Sequence, residues 1–565
     1  MDKALSIKDY PAEAPQTKGA VKTLSLKGAP SVRMTLSEYR VLIFSVAAAV
    51  LATAYYYYSG YILAYGDAES HLNIAKRVIA SPTPGFAQLG GVWLPLPHIL
   101  LIPFVYFDFL WRTGLAGSIV SGISFVISSL FIYKTIYLLT KKEIPSILGA
   151  LVFVLNPNAL YIQSTALTEM PLIAFSSITI YFFIKYLRND RDIVALLATA
   201  FFGFCTTLTR YDGWFLVIFM AAALGIKYFP IRLVKKHTSK ALLNFSKKKW
   251  ELLQGRLVVF ASLAFFGVFI WLVWDFLILG DPFYFTHSEF SAKSQQNALL
   301  AANQLPAYHD MMMALKYYLS TSVANVGIYT FALALIGFFA SLLLKGKYKY
   351  LIALVFSSVF VFNVYTLYAG QSVIFIPNVN PDAFKENVFN VRYGLMMLAF
   401  CAVFIGYLFS VSKTYLKIPI LLLLSLQAFI FTRPDFEIIT LADGQRGISS
   451  SIADTEKIKA SHWLRDEYGG GYVLLDDYAR PVSITESGVS MKNIIYIGNK
   501  PYWEESLREP EKYAEWIVLK TDDTVWKKIY NDPQIRARLE SKFTLVYESA
   551  DRKIFKRNVD SVSII

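Results

Sequence analysis

Two carboxylates and an imidazole, Asp67, Glu69 and His71, stand in Tyr65-Gly-Asp-Ala-Glu-Ser-His, just after the first hydrophobic run of the chain. Charge placed where a membrane helix ends needs a partner or a task. On a helix Asp67 and Glu69 diverge by about 200°, while Asp67 and His71, four residues apart, share a face; in an extended loop the two carboxylates share a face instead. Either geometry serves chemistry, with a carboxylate as general base or with Asp67, Glu69 and His71 as ligands of a divalent cation such as Mg or Mn. The plain alternative is an acidic first turn that complements a helix dipole. That alternative does not account for the equally polar membrane borders elsewhere: Thr168-Glu169-Met-Pro, Thr209-Arg210-Tyr-Asp212-Gly-Trp and Asn390-Val-Arg392-Tyr393. A charge inside hydrocarbon costs roughly 2.5–3.5 kcal/mol, so such residues are expected to face a protein cavity.

For Arg210 and Arg392 two readings stand. Each guanidinium fork suits bidentate binding of a phosphate, or each pairs with Glu169 for structure alone. His98 closes the segment Trp93-Leu-Pro-Leu-Pro-His98, and His287 and Lys293 lie in a loop that is aromatic first and polar afterwards. Aromatic faces beside amides and a cation suit a sugar or a lipid-phosphate headgroup, and they are also ordinary members of an interfacial belt.

These residues are positioned by a chain of 565 residues that is 55% hydrophobic, 16% aromatic and only 17% charged, the composition of a polytopic membrane protein. Apolar runs fit to cross the bilayer lie near 41–59, 117–139, 146–162, 170–187, 193–209, 213–229, 257–279, 326–344, 350–368, 391–411 and 416–432, about eleven helices, with 98–111 read as non-spanning. The net charge of +14 gathers in short loops, among them Lys141-Lys142, Arg188 to Arg191 and Lys227 to Arg256. Such clustering marks the cytoplasmic side and argues against a nucleic-acid partner. With the basic tail 1–39 cytoplasmic, the polar first loop 60–116 and the loops bearing Glu169, Arg210 and Arg392 share the opposite side. Both cysteines, Cys205 and Cys401, lie in apolar runs, which excludes a disulfide framework. The membrane part is expected over 40–432. After about 433 the composition becomes that of a soluble α/β domain, with a helix at Ile458 to Trp463, strands at Tyr472 to Asp476 and Trp516 to Lys520, and a hairpin of Phe543 to Tyr547 with Lys553 to Lys556.

Taken together, the acidic first-loop motif, Thr-Glu-Met-Pro, Thr-Arg-Tyr-Asp-Gly-Trp and the late Arg-Tyr resemble the GT-C class of integral-membrane glycosyltransferases, in the branch of protein O-mannosyltransferases and aminoarabinose transferases (family 39-like). The resemblance covers about 40–432. It implies a GT-C fold, a sugar donor carried on polyprenyl phosphate, transfer to a hydroxyl of a protein, lipid or glycan on the extracytoplasmic face, and inversion. It sets Asp67 at the position of the acidic residue that acts near the acceptor, and it assigns cavity arginines, here Arg210 or Arg392, to the donor phosphate. Two departures stand out. Ala68 separates the two acidic residues, which is closer to the Asp-x-Asp of the oligosaccharyltransferase branch, and the Trp93 to His98 segment lacks the lysine of the family's Pro-rich motif, with His98 in its neighbourhood. Metal use differs between those branches.

The expected reading is therefore a multi-pass membrane glycosyltransferase with Asp67 and Glu69 as its catalytic carboxylates, and with His71, His98, Glu169, Arg210, Asp212, His287, Lys293, Arg392 and Tyr393 around the substrate. A lipid or solute transporter is the competing class, since it too places charges beside a cavity. Transporters carry inverted repeats and mid-bilayer sites, whereas the polar groups here collect at one side.

Overall fold

The computed structural model describes residues 34–235, 241–344, 346–381, 388–446 and 454–558. Most of the basic tail, together with Lys236, His237 and Lys345 of the basic loops, lies outside them. Among the described residues six helices are long and apolar enough to cross a membrane: Leu36–Tyr58, Leu115–Thr140, Glu169–Arg188, Lys349–Tyr368, Val391–Val411 and Thr414–Phe431. Two bent pairs raise the count to eight, Lys247–Ala264 with Phe266–Leu279 at 41° and Met311–Val326 with Ile328–Leu343 at 111°. The three remaining apolar runs of the sequence are helical but shorter. Ile193–Thr207 and Asp212–Lys227 are two of them, and the 146–162 run is split into Glu143–Val154 and Pro157–Ile162. Asn156 caps the second piece by accepting from Ala159 N, and Pro157 occupies the first turn, where its missing N–H costs nothing. The 98–111 run holds the ten-residue helix Leu96–Val105, whose length of about 15 Å falls short of the bilayer.

The first loop folds onto the end of this bundle. Its principal helix, Gly66–Ile79, buries Ala68, Leu72 and Ala75 at helical spacing. A set of buried amides ties the same end together: Asn156 and Asn158 donate to the Asn325 carbonyl at 2.9 and 3.1 Å, and Asn325 donates to the Val391 carbonyl at 2.7 Å. Asn325 sits at the 111° bend. The break in that helix thus leaves side-chain amides to satisfy backbone groups that a straight helix would have satisfied itself.

The C-terminal part forms a five-stranded sheet in the order Ile494–Ile495, Val473–Leu474, Trp516–Lys520, Arg552–Arg557, Phe543–Glu548. The first three strands are parallel and the last two pair antiparallel, as the hairpin pattern predicts. Successive strand residues alternate between two cores. Leu474, Ile517, Leu519 and Phe555 pack within the domain, while Val473, Trp516, Val518 and Ile554 join the cluster that continues into the helical bundle. The domain is clamped to the first loop by Arg112, which donates to the carbonyls of Thr485, Gly488 and Val489, and by Arg77, which pairs with Asp477 and lies 3.9 Å from the Tyr496 ring. The unpredicted piece is a hairpin, Ile231–Lys235 with Ala241–Phe245, inside the basic loop.

Helix contact in the bundle is close enough to require glycine. At Gly337 an added Cβ would strike the backbone carbonyl of Phe404, whereas at Gly225, also helical, nothing lies within 4 Å. Gly337→Ala should therefore lose about 1–3 kcal/mol of stability from overpacking, and Gly225→Ala should be neutral or slightly stabilising. Thermal unfolding of the two purified variants in detergent checks the contrast; equal midpoints would mean that the two helices yield at Gly337.

Candidate active site

The separated border motifs converge on one line of alternating charge. Arg480 donates to Asp67 Oδ1 at 3.1 Å, and Arg392 Nη2 donates to Asp67 Oδ2 at 2.7 Å. Arg392 Nε reaches Glu169 Oε1 at 3.1 Å, and Arg210 Nη1 reaches the same oxygen at 3.1 Å. Arg210 Nε then meets Asp212 Oδ2 at 3.1 Å, and Asn363 donates to Asp212 Oδ1 at 3.3 Å. Three guanidiniums and three carboxylates thus alternate; Glu169, Asp212 and Arg392 are deeply set, whereas the Asp67–Arg480 end is partly open and so is Arg210, at 19% side-chain exposure. Side-chain exposure is 1% for Glu169, 2% for Asp212 and 7% for Arg392, against 24% for Asp67 and 21% for Arg480.

Local structure explains how each member arrives. Asp67 is in the first turn of Gly66–Ile79, Glu169 opens Glu169–Arg188 and Asp212 opens Asp212–Lys227, so all three carboxylates sit at helix N-termini. Arg392 lies in a 3₁₀ turn, Val391–Met396, entered through Asn390 at φ 54°, and its guanidinium is flanked by the rings of Tyr65 at 4.9 Å and Tyr393 at 5.3 Å. Tyr393 also lies 5.1 Å from the Arg210 guanidinium, which makes it a shared aromatic wall.

Because 66–79 is helical, the two first-loop carboxylates part company. Glu69 turns to the C-terminal domain, where its Oε1 accepts from Ser483 Oγ at 2.6 Å, Thr485 Oγ1 at 3.1 Å and Thr485 N at 3.3 Å. His71 stays on the Asp67 face and lies 2.9 Å from His98, with the Trp93 ring 4.4 Å away. Asp67, Glu69 and His71 therefore face three different sets of partners and do not form a shared ligand set for Mg or Mn. Among the described residues no group of three His, Cys, Asp or Glu side chains is placed to hold a metal ion. His287 is exposed beside Asp281 at 3.3 Å, and Lys293 is exposed on the helix Ala292–Ala301; neither joins the cluster. Arg480, Ser483, Thr485, Tyr65 and Asp443 are members of the site that sequence reasoning missed. The one signal for Arg480 was its place in a polar loop, Asp476-Asp-Tyr-Ala-Arg-Pro481, directly after a strand.

The charges set the protonation states. Burial pushes the Asp67 carboxyl up, but the guanidiniums of Arg392 and Arg480 outweigh it and bring it down to about 2. Burial lowers the His71 imidazole, the carboxylates of Asp67 and Glu169 oppose it, and the result is about 4, so the ring is neutral at pH 7. Asp443 goes the other way: burial exceeds the opposing pull of Arg392 and lifts it to about 6. The Tyr65 hydroxyl lies 2.7 Å from the Thr440 carbonyl and 2.9 Å from Asp443 Oδ2, and it has one proton for two acceptors. Below about pH 6 a protonated Asp443 supplies the second.

One more feature abuts the line. An apolar crevice between the membrane helices is lined by Leu172, Ile173, Ile180, Val359, Met396 and Phe400, among others. Leu172 follows Glu169 by one helical turn and Met396 closes the 3₁₀ turn that carries Arg392, so the crevice lies next to the elements that bear those two residues. Glu169 Oε2 is buried without a hydrogen-bond partner among the described residues.

The architecture is a polytopic helical bundle whose charged end is closed by a small α/β domain, and it is a GT-C fold. Its likeness is to ArnT from Cupriavidus metallidurans bound to undecaprenyl phosphate, with a TM-score of 0.55 at 8% identity over 94% of this chain and 100% of that one. The archaeal oligosaccharyltransferase AglB from Archaeoglobus fulgidus, in complex with an inhibitory peptide and a dolichol-phosphate, matches with a TM-score of 0.46 at 11% identity over 94% of this chain and 75% of that one. No family model and no curated protein sequence matches the chain.

Asp443 generates a pH test. Its carboxyl is raised in the folded protein, so the protonated form belongs to the folded state. The stabilisation is present at low pH and is lost as pH rises from about 4 through about 6. Asp443→Asn keeps an amide donor and an acceptor at that place. Its melting temperature should fall less than that of wild type between pH 5 and pH 8, and superimposable profiles would show that Asp443 is already ionised at pH 5.

Proposed function

We propose that the chain is a membrane glycosyltransferase that moves a sugar from a polyprenyl-phosphate donor to a hydroxyl on a protein, lipid or glycan, on the extracytoplasmic face. The observation that carries this reading is the pair of guanidiniums, Arg210 and Arg392, sharing Glu169, which lies one helical turn from Leu172 in the lining of an apolar crevice. The apolar lining of the crevice matches a prenyl chain in chemical character, and a phosphate at the end of that chain would meet cations whose forks match its oxygens. The unpartnered Glu169 Oε2 is an acceptor suited to a sugar hydroxyl. The side follows from the positive-inside bias of the loops: the N-terminal tail is cytoplasmic and the C-terminal domain extracytoplasmic.

In this reading the acceptor hydroxyl approaches Asp67, the carboxylate at the accessible end of the charge line. Asp67 takes the hydroxyl proton as the oxygen attacks the anomeric carbon from the face opposite the phosphate. The bond from that carbon to the phosphate oxygen breaks, the configuration inverts, and polyprenyl phosphate leaves with its charge held by Arg392 and Arg210. Preorganised cations stabilise the leaving group, so no strong acid is needed there. Glu69 supports the reaction from outside it, fixing the C-terminal domain through Ser483 and Thr485. His71 and Trp93 wall the Asp67 side.

Transfer of labelled sugar from a synthetic polyprenyl-phosphate donor tests the proposal. Asp67→Asn should lower turnover on the order of 10²–10⁴-fold, the scale of a lost general base, in a protein that still inserts and unfolds cooperatively. Near-normal turnover would remove Asp67 as base. Arg392→Ala should raise the donor KM tenfold or more with a smaller loss of kcat; an unchanged donor dependence would take Arg392 out of the phosphate site.

A further inference from the structure

The loop that carries Arg480 is built to aim it. Asp476 Oδ1 accepts from Tyr478 N at 3.1 Å and Ala479 N at 3.3 Å, while its Oδ2 accepts from Thr524 N at 2.9 Å. Lys520 donates to the Ala479 carbonyl at 3.3 Å, the fully buried Arg552 donates to the Pro481 carbonyl at 2.7 Å, and Ser483 N donates to Ser461 Oγ at 2.8 Å. At the tip Arg480 has φ 50° and precedes a proline. A side-chain-bearing residue adopts that left-handed conformation at a cost, and such costs persist where the surroundings enforce them, often at functional sites. Here the enforced turn sends the guanidinium out of its own domain to a carboxylate 413 positions earlier in the chain.

Charge counting says what that guanidinium can do. The six groups are three arginines and three carboxylates, neutral together, so an entering phosphate competes with the carboxylates for the guanidiniums. Glu169 and Asp212 are closed off, at 1% and 2% exposure. Asp67 is the accessible carboxylate of the three, and it is held from both sides. We propose that Arg480 is a ligand of the donor phosphate, and that Arg480 and Arg392 exchange Asp67 for that phosphate when the donor arrives. The inference rests on the glycosyl-transfer reading and adds a residue of the C-terminal domain to its site.

The exchange makes and breaks only ion pairs, yet it changes the chemistry of Asp67. With each oxygen facing a guanidinium the carboxylate is a poor proton acceptor, at about 2. Once the cations turn to phosphate, Asp67 is left beside an anion and its proton affinity rises. The other groups around it do not replace the lost cations. His71 is neutral, Tyr65 and Tyr478 carry phenol hydroxyls, and Asp443 carries a carboxyl group. The base is thereby armed by the bound donor, and the C-terminal domain takes part in the event.

Binding of polyprenyl phosphate to the purified full-length protein, followed by tryptophan fluorescence, tests this without turnover. Arg480→Gln should weaken binding at least fivefold and Arg480→Lys by less. Asp67→Asn should tighten binding several-fold, because it removes the competitor for both cations. Inorganic phosphate should compete only at concentrations a hundredfold or more higher, which ties recognition to the lipid-linked phosphate; equal affinity for inorganic phosphate would overturn the assignment to the donor. Wild-type affinity in Arg480→Gln and Arg480→Lys, with no tightening in Asp67→Asn, would make Arg480 a latch between domains and overturn the proposal alone. If wild type itself does not bind, the donor class falls and the proposal falls with it. Arg480→Lys, which keeps the charge, carries the test if the glutamine variant does not fold.

Discussion

The structure depends on the need of buried charge for buried partners. A lone guanidinium at the depth of Arg392 would cost several kcal/mol, and removing one partner from such a pair typically costs 3–5 kcal/mol. The chain meets this need with an alternating line, Arg480, Asp67, Arg392, Glu169, Arg210, Asp212, in which each inner group serves two neighbours. That line fixes where four helical elements of the bundle begin or bend and where the C-terminal domain docks. A neutral line is also a poised one. In the proposed reading its guanidiniums are the groups that would meet the donor phosphate.

The C-terminal domain belongs to this arrangement through a feature of its sheet. Parallel strands deliver their following loops to one edge, and in α/β sheets that carboxyl edge is where ligands gather. The Val473–Leu474 strand sends the Asp476 to Thr485 loop from this edge onto the first-loop helix. Glu69 and Arg77 hold the loop by its flanks, through Ser483, Thr485 and Asp477, and Arg480 stands between them. Two acidic residues of the first loop, with Ala68 between them, therefore have separate partners. Asp67 faces the charge line and Glu69 faces the domain, a division made by the helical turn between them.

Much was legible in the sequence, and for a definite reason. The bilayer demands long apolar helices with polar groups confined to their ends, and this demand is read one segment at a time. Hydropathy located the membrane helices, the border motifs located Asp67, Glu169, Arg210, Asp212 and Arg392, and strand alternation located the C-terminal sheet. Where the reading departed from the fold, backbone detail intervened: Asn156-Pro157 divides one apolar run, and the 326–344 run is preceded by a further helix, Met311–Val326, set at 111° to it.

Pairing is the part that local pattern does not hold. Arg392 meets Glu169 across 223 positions and Asp67 across 325, and Arg480 meets Asp67 across 413. From sequence alone, phosphate binding and ion pairing were rival accounts of the arginines; the folded chain pairs both with Glu169, on a helix whose next turn lines an apolar crevice. Likewise the choice between Asp67 with Glu69 and Asp67 with His71 turned on whether 66–79 is helical. By itself the sequence determined a multi-pass bundle with a polar end and a small α/β domain, because hydrophobic periodicity is a local property. Only the tertiary structure decided which charges meet, because electrostatic partners are selected by distance in space and leave no mark on the spacing of residues along the chain.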